Sequence, residues 1–316
     1  VWIGILAVYM GAAESGFPTF SMETLGRLAE AGQLSEEFQT WVFPLFMVGF
    51  GVLAGMWPFH TWSPDGHVSA PTAVSMLHAG VLMKLGAYGI IRVGMVIVPE
   101  GAENWMPVLI TLGTVNVLYG AVSAMSQTDL KYIIGYSSVS HMGYVLMGIA
   151  TLDRIGVGGA VLQMFSHGIM TALMFLLVGA IYDRTHTRDI YALKGLFSRM
   201  GVTGFFFAIA GLASLGLPGL SGFIAEFMVF TGAFRTYLPL AILAVIGAAL
   251  TAVYILRLLA LTFLGESDAR WEHLTDASPV EKAVGGAFVL IIIFVGVWPE
   301  PLLRLINVSV DALPGV

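Results

Sequence analysis

Long apolar stretches alternate with short polar or Gly/Pro-rich ones along the whole chain. The apolar runs fall at about 1–13, 40–58, 71–98, 106–125, 131–150, 156–182, 202–232, 237–264 and 282–303. All but the first approach or exceed the ~20 residues that a helix needs to cross the hydrocarbon core of a bilayer. Hydrocarbon offers no hydrogen-bond partner to backbone N–H and C=O groups, so each run predicts a helix rather than an open strand. The pattern predicts an all-α, polytopic membrane helix bundle with eight complete spans after one partial one. Connections are short and no Ser-, Pro- or Gly-rich linker divides the chain, which makes residues 1–316 one transmembrane domain. The opening run begins at Val1 without a charged segment ahead of it. It does not read as a signal peptide, and it predicts a chain that starts inside a helix of a longer protein.

Two of the runs are interrupted. Gly51, Gly55 and Pro58 end the second just before His60-Thr61-Trp62-Ser63-Pro64-Asp65-Gly66-His67, while Gly216, Pro218, Gly219 and Gly222 break the seventh just before Glu226. A helix broken in mid-membrane frees backbone amides and carbonyls, which is tolerable only against protein or a hydrated cavity. Both breaks therefore predict polar interiors.

Composition agrees with the pattern. Hydrophobic residues make up 57% of the chain and charged residues 11%, and the mean hydropathy is +0.86, against roughly 45–50% and about 25% for a soluble domain. Cysteine is absent, which excludes disulfides, thiol catalysis and cysteine metal sites. The net charge of −6 arises in loops, notably 14–37 and 265–282, and leaves no basic stripe for nucleic acid. Alternate loops place Lys131, Arg184, Arg188, Lys194, Arg199, Arg270 and Lys282 on one side and Arg27, Arg92, Arg154, Arg235 and Arg304 on the other. The first side is favoured as cytoplasmic, which puts the C-terminus outside. The segment after Trp298-Pro299-Glu300-Pro301 predicts a short interfacial helix carrying Leu302, Leu303, Leu305 and Ile306.

Against this background a few polar residues stand out. Lys84 lies in VSMLHAGVLMKLGAYGII and Glu226 in LPGLSGFIAEFMVF, where an ionisable group is costly and usually marks a proton or ion path. A snorkelling or ion-paired lysine, and a carboxylate capping amides at the break, are the structural alternatives. His78, His141 and His167 also fall inside spans, where imidazole suits a relay. Ser137 precedes His141 by four residues and Gln163 precedes His167 by four, so each pair shares a helix face. Packing is the alternative role for all three histidines, and no histidine pair spaced for metal or haem ligation occurs. Asp129 and Lys131 open a span, a position typical of membrane-edge anchoring. His60, Asp65 and His67 flank the Trp-Pro turn and suit a hinge network or a proton inlet.

At these same residues the chain resembles a known family. PFHTWSPDGHVSAPTAVSMLHAGVLMKLGAYGIIR, QTDLKYIIGYSSVSHMGYVL, FSHGIMTALMFLLVGAIYDRTHTRDI and GLPGLSGFIAEFMVF look like subunit M (mitochondrial subunit 4) of NADH-quinone oxidoreductase, respiratory complex I. Subunits of Mrp sodium/proton antiporters and membrane hydrogenases are similar in architecture. The resemblance covers nearly the whole chain. It implies an antiporter-like inverted-repeat fold with helices preceding Val1, and proton transfer by Lys84, Glu226, His167, His78, His141 and Lys131. It further implies neighbouring complex I membrane subunits as partners, a bacterial inner membrane as location, and no cofactor or metal in this subunit. One departure matters. The family carries a lysine seven residues before the histidine of the HTW turn, and here that position is Leu53. Either another group such as His78 substitutes for it, or the first half-channel is altered. The competing expectation is a sodium/proton antiporter or carbon-uptake subunit without a redox partner.

Overall fold

The computed structural model describes residues 1–316. The chain folds into helices α1 (Trp2–Glu14), α2 (Met22–Glu30), α3 (Glu36–Ala54), α4 (Trp62–Ser69), α5 (Thr72–Met95), α6 (Pro99–Ser126) and α7 (Leu130–Ala150). They are followed by α8 (Arg154–Thr185), α9 (Gly201–Ser214), α10 (Ser221–Thr236), α11 (Leu238–Phe263), α12 (Pro279–Val297) and α13 (Glu300–Val310). Seven of them, α3, α5, α6, α7, α8, α11 and α12, are long and apolar enough to cross a membrane. The eighth expected crossing is the broken pair α9 and α10, so the chain is a multi-pass membrane bundle with two discontinuous helices.

Helix starts follow local chemistry. Asp129 accepts from the amides of Lys131 and Tyr132 at the head of α7, and Asp153 from those of Ile155 and Gly156 at the head of α8. Ser278 and Glu281 form a reciprocal capping box on α12. Helix α7 is almost wholly buried and α8 largely so, whereas α11 and α12 turn most of their surface outward. The two central helices carry His141 and His167.

Both breaks lie where Gly and Pro cluster. Helix α3 ends at Gly55, whose φ of 76° suits a residue without Cβ, and the chain resumes as α4 at Trp62. The freed backbone is met by one side chain. Asn116, wholly buried on α6, donates to the carbonyls of Gly55 at 2.9 Å and Val139 at 3.3 Å and accepts from the Trp57 amide at 2.6 Å. At the second break Gly216 has a φ of 73°, and a Cβ there would stand 2.9 Å from Glu226 Oε2. The backbone can wrap the carboxylate only because that atom is missing.

Three features lie outside the sequence pattern. Residues 14–37 contain α2, an amphipathic helix that buries Leu25, Leu28 and Ala29, because its charges mask a one-sided apolar face. Helix α5 is regular only in part, with π-helical turns at His78–Leu82 and Ile90–Met95. The last long run ends at Val297 rather than continuing to 303, since Trp298 leaves helical geometry before α13.

Candidate functional site

Close approach of two backbones sets the centre of the site. A Cβ added to Gly168 of α8 would meet the Gly80 carbonyl of α5 at 2.8 Å, so two glycines let these helices touch as small residues do in membrane proteins. That contact lies one residue from His167 and four from Lys84. The neighbouring π turn opens the Ala79 carbonyl to the Lys84 ammonium, which also meets His167 Nδ1 at 2.6 Å. π turns recur at functional sites for this reason: they redirect backbone acceptors.

The polar line continues across the bundle. The His167 and His141 rings lie 5.2 Å apart, and His141 Nδ1 stands 3.2 Å from Glu226 Oε1. Gln163 donates to the same carboxylate oxygen at 3.4 Å and lies 3.3 Å from His141 Nδ1, while His141 Nε2 meets Ser214 Oγ at 2.9 Å. Lys84, His167, His141, Gln163 and Glu226 are all at most 8% exposed. Hydrogen-bond bookkeeping assigns the protons. A carboxylate beside His141 Nδ1 requires Nδ1–H, leaving Nε2 to accept from Ser214. An ammonium beside His167 Nδ1 requires the opposite tautomer, with the proton on Nε2, an atom that has no protein partner.

The direct bonds of the two face-sharing pairs go to other partners. Ser137 binds the Tyr254 hydroxyl at 2.6 Å rather than His141, and Gln163 serves His141 and Glu226 rather than His167. Four-residue spacing gives a common face but does not choose between partners on the same helix and on its neighbours.

His78 and Lys131 stand apart from this line. His78 lies in a stack of four rings, 4.9 Å from Trp62 and 4.0 Å from His67, which in turn lies 4.8 Å from Phe175. Both nitrogens of His67 and Nε2 of His78 are buried without a protein partner, as are both nitrogens of His60. Lys131 donates to the Ala70 carbonyl at 2.6 Å and to Ser75 Oγ at 3.4 Å, and Ser75 donates to the His67 carbonyl at 2.8 Å. It also borders a cavity of about 460 Å³ with Thr72, Tyr182, Asp183 and Arg188. Asp65 accepts from the Tyr132 hydroxyl at 3.2 Å. Leu53, on α3, is half-buried and supplies no polar atom.

Sequence reasoning missed Asn116, Ser214 and Tyr254. Asn116 had a visible signal, the one side-chain amide in its apolar run, whereas Tyr254 sits among Thr251 and Arg257 and nothing in the sequence marks Ser214 beyond its nearness to the break.

The architecture and the buried charged line define a polytopic helical membrane protein of the antiporter-like class. Residues 2–251 match the family described as NADH:quinone oxidoreductase/Mrp antiporter, TM, and the chain belongs to that family. It is 39% identical over 98% of its length to NADH-quinone oxidoreductase subunit M of Rhodobacter capsulatus, of which it covers 62%. It superposes with a TM-score of 0.91 on a chain of respiratory complex I from Thermus thermophilus with bound NADH, at 31% identity, covering 98% of this chain and 65% of that one. It also shares its fold with a chain of the Mrp complex from Dietzia sp. DQ12-45-1b, at a TM-score of 0.86 and 22% identity, covering 99% of this chain and 65% of that one. The chain spans between 52 and 62% of the length of such curated relatives.

Proposed function

We propose that this chain is a proton-translocating membrane subunit of an NADH-quinone oxidoreductase, a non-redox part of the enzyme that moves protons while quinone is reduced elsewhere in the complex. The observation that carries the reading is the buried line Lys84–His167–His141–Glu226, which joins the distorted helix α5 to the second helix break. A proton passes from Lys84 Nζ to His167 Nδ1, and His167 releases its other proton from Nε2 toward His141. His141 then gives up its Nδ1 proton to Glu226. Each imidazole takes a proton on one nitrogen and releases one from the other, so both rings end neutral while Lys84 is left as the amine and Glu226 as the carboxylic acid. Glu226 is the exchanging end of the line, since it lies against the second helix break, where freed backbone borders a polar interior.

Lys131 and the ring stack of His67 and His78 supply the approach to Lys84 from the side read as cytoplasmic, a task that Leu53 cannot take. Neighbouring antiporter-like subunits and other complex I membrane subunits are the partners, in a bacterial inner membrane with the C-terminus outside. Relatives named as quinone oxidoreductase subunits at about 40% identity favour this reading over a sodium/proton antiporter, because the fold is common to both. In the assembled complex, Glu226→Gln keeps the shape and removes the titration, so we predict at least about a tenfold loss of proton transfer at normal assembly, with part retained in Glu226→Asp. Unchanged pumping in Glu226→Gln would overturn the assignment.

A further inference from the structure

Three helices bring His141 of α7, Gln163 of α8 and Glu226 of α10 into one triangle of polar atoms. His141 Nδ1 lies 3.2 Å from Glu226 Oε1, and Gln163 Nε2 lies 3.3 Å from that nitrogen and 3.4 Å from that oxygen. The three residues are at most 5% exposed. No single protonation state satisfies all three sides. While Glu226 is ionised, Nδ1 carries a proton and donates to it, which sets Nδ1–H against the N–H end of Gln163, donor facing donor. Once that proton has moved, Nδ1 is a bare acceptor and the same contact is a hydrogen bond.

The other end of the amide supports this reading. Gln163 Oε1 is buried without a protein partner. Turning the amide over would let Oε1 accept from Nδ1–H, but it would press Oε1 on the Glu226 carboxylate, so the charge keeps the N–H end toward the pair. The amide therefore stands beside Nδ1 before it has a bond to make there. The carboxyl is two-sided as well. His141 and Gln163 both address Oε1, whereas Oε2 faces the turn at Gly216, where even a Cβ would stand 2.9 Å from it.

We infer that Gln163 is a one-way latch on proton transfer from His141 to Glu226, a reading that rests on the proton-conducting role proposed for that pair. In the forward step His141, charged by the proton arriving at Nε2, loses its Nδ1–H bond as Glu226 gains an Oε1–H bond. The ring is left neutral and the carboxyl an acid. His141 Nε2–H then donates to Ser214 Oγ at 2.9 Å, and Gln163 donates one amide hydrogen to Nδ1. An amide nitrogen does not give that hydrogen up, so the acid must displace Gln163 before it can return its proton. A hydrogen bond of ordinary net strength biases that competition by about twofold to tenfold. Released from His141, the carboxyl makes a half-turn that carries its O–H to the Gly216 side.

The test is the number of protons moved per electron by assembled complex in sealed vesicles, measured without a pH difference and again against an excess of protons on the receiving side. Each complex is read against its own ratio without the excess. A latch matters only when protons press back on Glu226, whereas a purely structural residue lowers both ratios by the same factor. Gln163→Met keeps the length of the side chain and deletes both N–H groups. Under the opposing excess its ratio should fall further, by at least about half of the share that Lys84→Met removes, while the parent holds its own. Ser138→Ala is the control and should behave as the parent, since that buried hydroxyl donates to the Ile134 carbonyl of its own helix. If Gln163→Met does not assemble, Gln163→Leu is read in its place with the same expectation. A ratio that withstands the excess as the parent's does, or one lowered by the same factor in both conditions, overturns the latch. The proposed function fails separately, if Glu226→Gln pumps like the parent with no excess to oppose it.

Discussion

Replacing Asn116 by leucine removes a polar group from the middle of the bundle at almost constant volume, yet it should be among the most damaging single changes. Asn116 holds the first break: its amide donates to the Gly55 and Val139 carbonyls and accepts from the Trp57 amide. In Asn116→Leu these three groups lose their partner where neither water nor lipid supplies another. Hydrogen bonds inside membrane proteins average only about 0.6 kcal/mol when measured pairwise, whereas an orphaned buried group costs about 1–3 kcal/mol. Over the three groups the two limits bracket the loss at about 2–9 kcal/mol, a fall in melting temperature on the order of 5–20 °C. The assay is thermal unfolding of the detergent-solubilised complex followed by loss of this subunit. The same change should loosen the Trp62–His78 stack, because Trp62 begins the helix on the far side of the break. A melting temperature within about 2 °C of the parent would refute the reasoning, since the break would then need no clamp.

Gly168→Val should part α5 from α8, because even a Cβ at that position falls 2.8 Å from the Gly80 carbonyl. The 2.6 Å contact between Lys84 and His167 would be lost with it. Overpacking of this kind costs about 1–3 kcal/mol, and proton pumping per electron should fall with assembly retained; normal pumping would contradict the geometry. Asp276 ties the loop before α12 to the head of α9 through the Val202 and Thr203 amides and the Thr203 hydroxyl. Burial pushes its carboxyl up, but the amides of Val202, Ala277 and Thr203 hold it below the ordinary carboxylate value. A lowered folded pKa stabilises above the unfolded value and is lost as pH falls through the folded one. Asp276→Ala should therefore cost about 1–2 kcal/mol at neutral pH, and the gap to the parent in thermal unfolding should close below about pH 4. A gap that persists at low pH would show that the cap is not ionic.

Much of this architecture was legible in the residues. Apolar runs of span length gave the crossings, and Gly and Pro clusters gave both breaks to within a few residues, because backbone satisfaction in lipid leaves few alternatives. Lys84, Glu226, His141 and His167 were legible as single residues, since polar groups in such runs are expensive. Their pairings were not. Gln163 shares a helix face with His167, yet its amide turns to His141 and Glu226, and Ser137 turns to Tyr254. Those choices depend on how α7, α8, α9 and α11 pack, which in turn depends on glycines such as Gly80 and Gly168 whose role appears only when two helices meet. The π turns of α5 were hidden for a similar reason: a sequence fit for an α-helix is also fit for one extra residue per turn.

The central claim is that Lys84 loads protons into the line ending at Glu226. Its most direct test is the number of protons moved per electron by assembled complex carrying Lys84→Met in sealed vesicles. The reading predicts a sharp fall, by the share of the total that this subunit contributes, with the complex intact and electron transfer still measurable. A ratio equal to that of the parent, in a fully assembled complex, would contradict it.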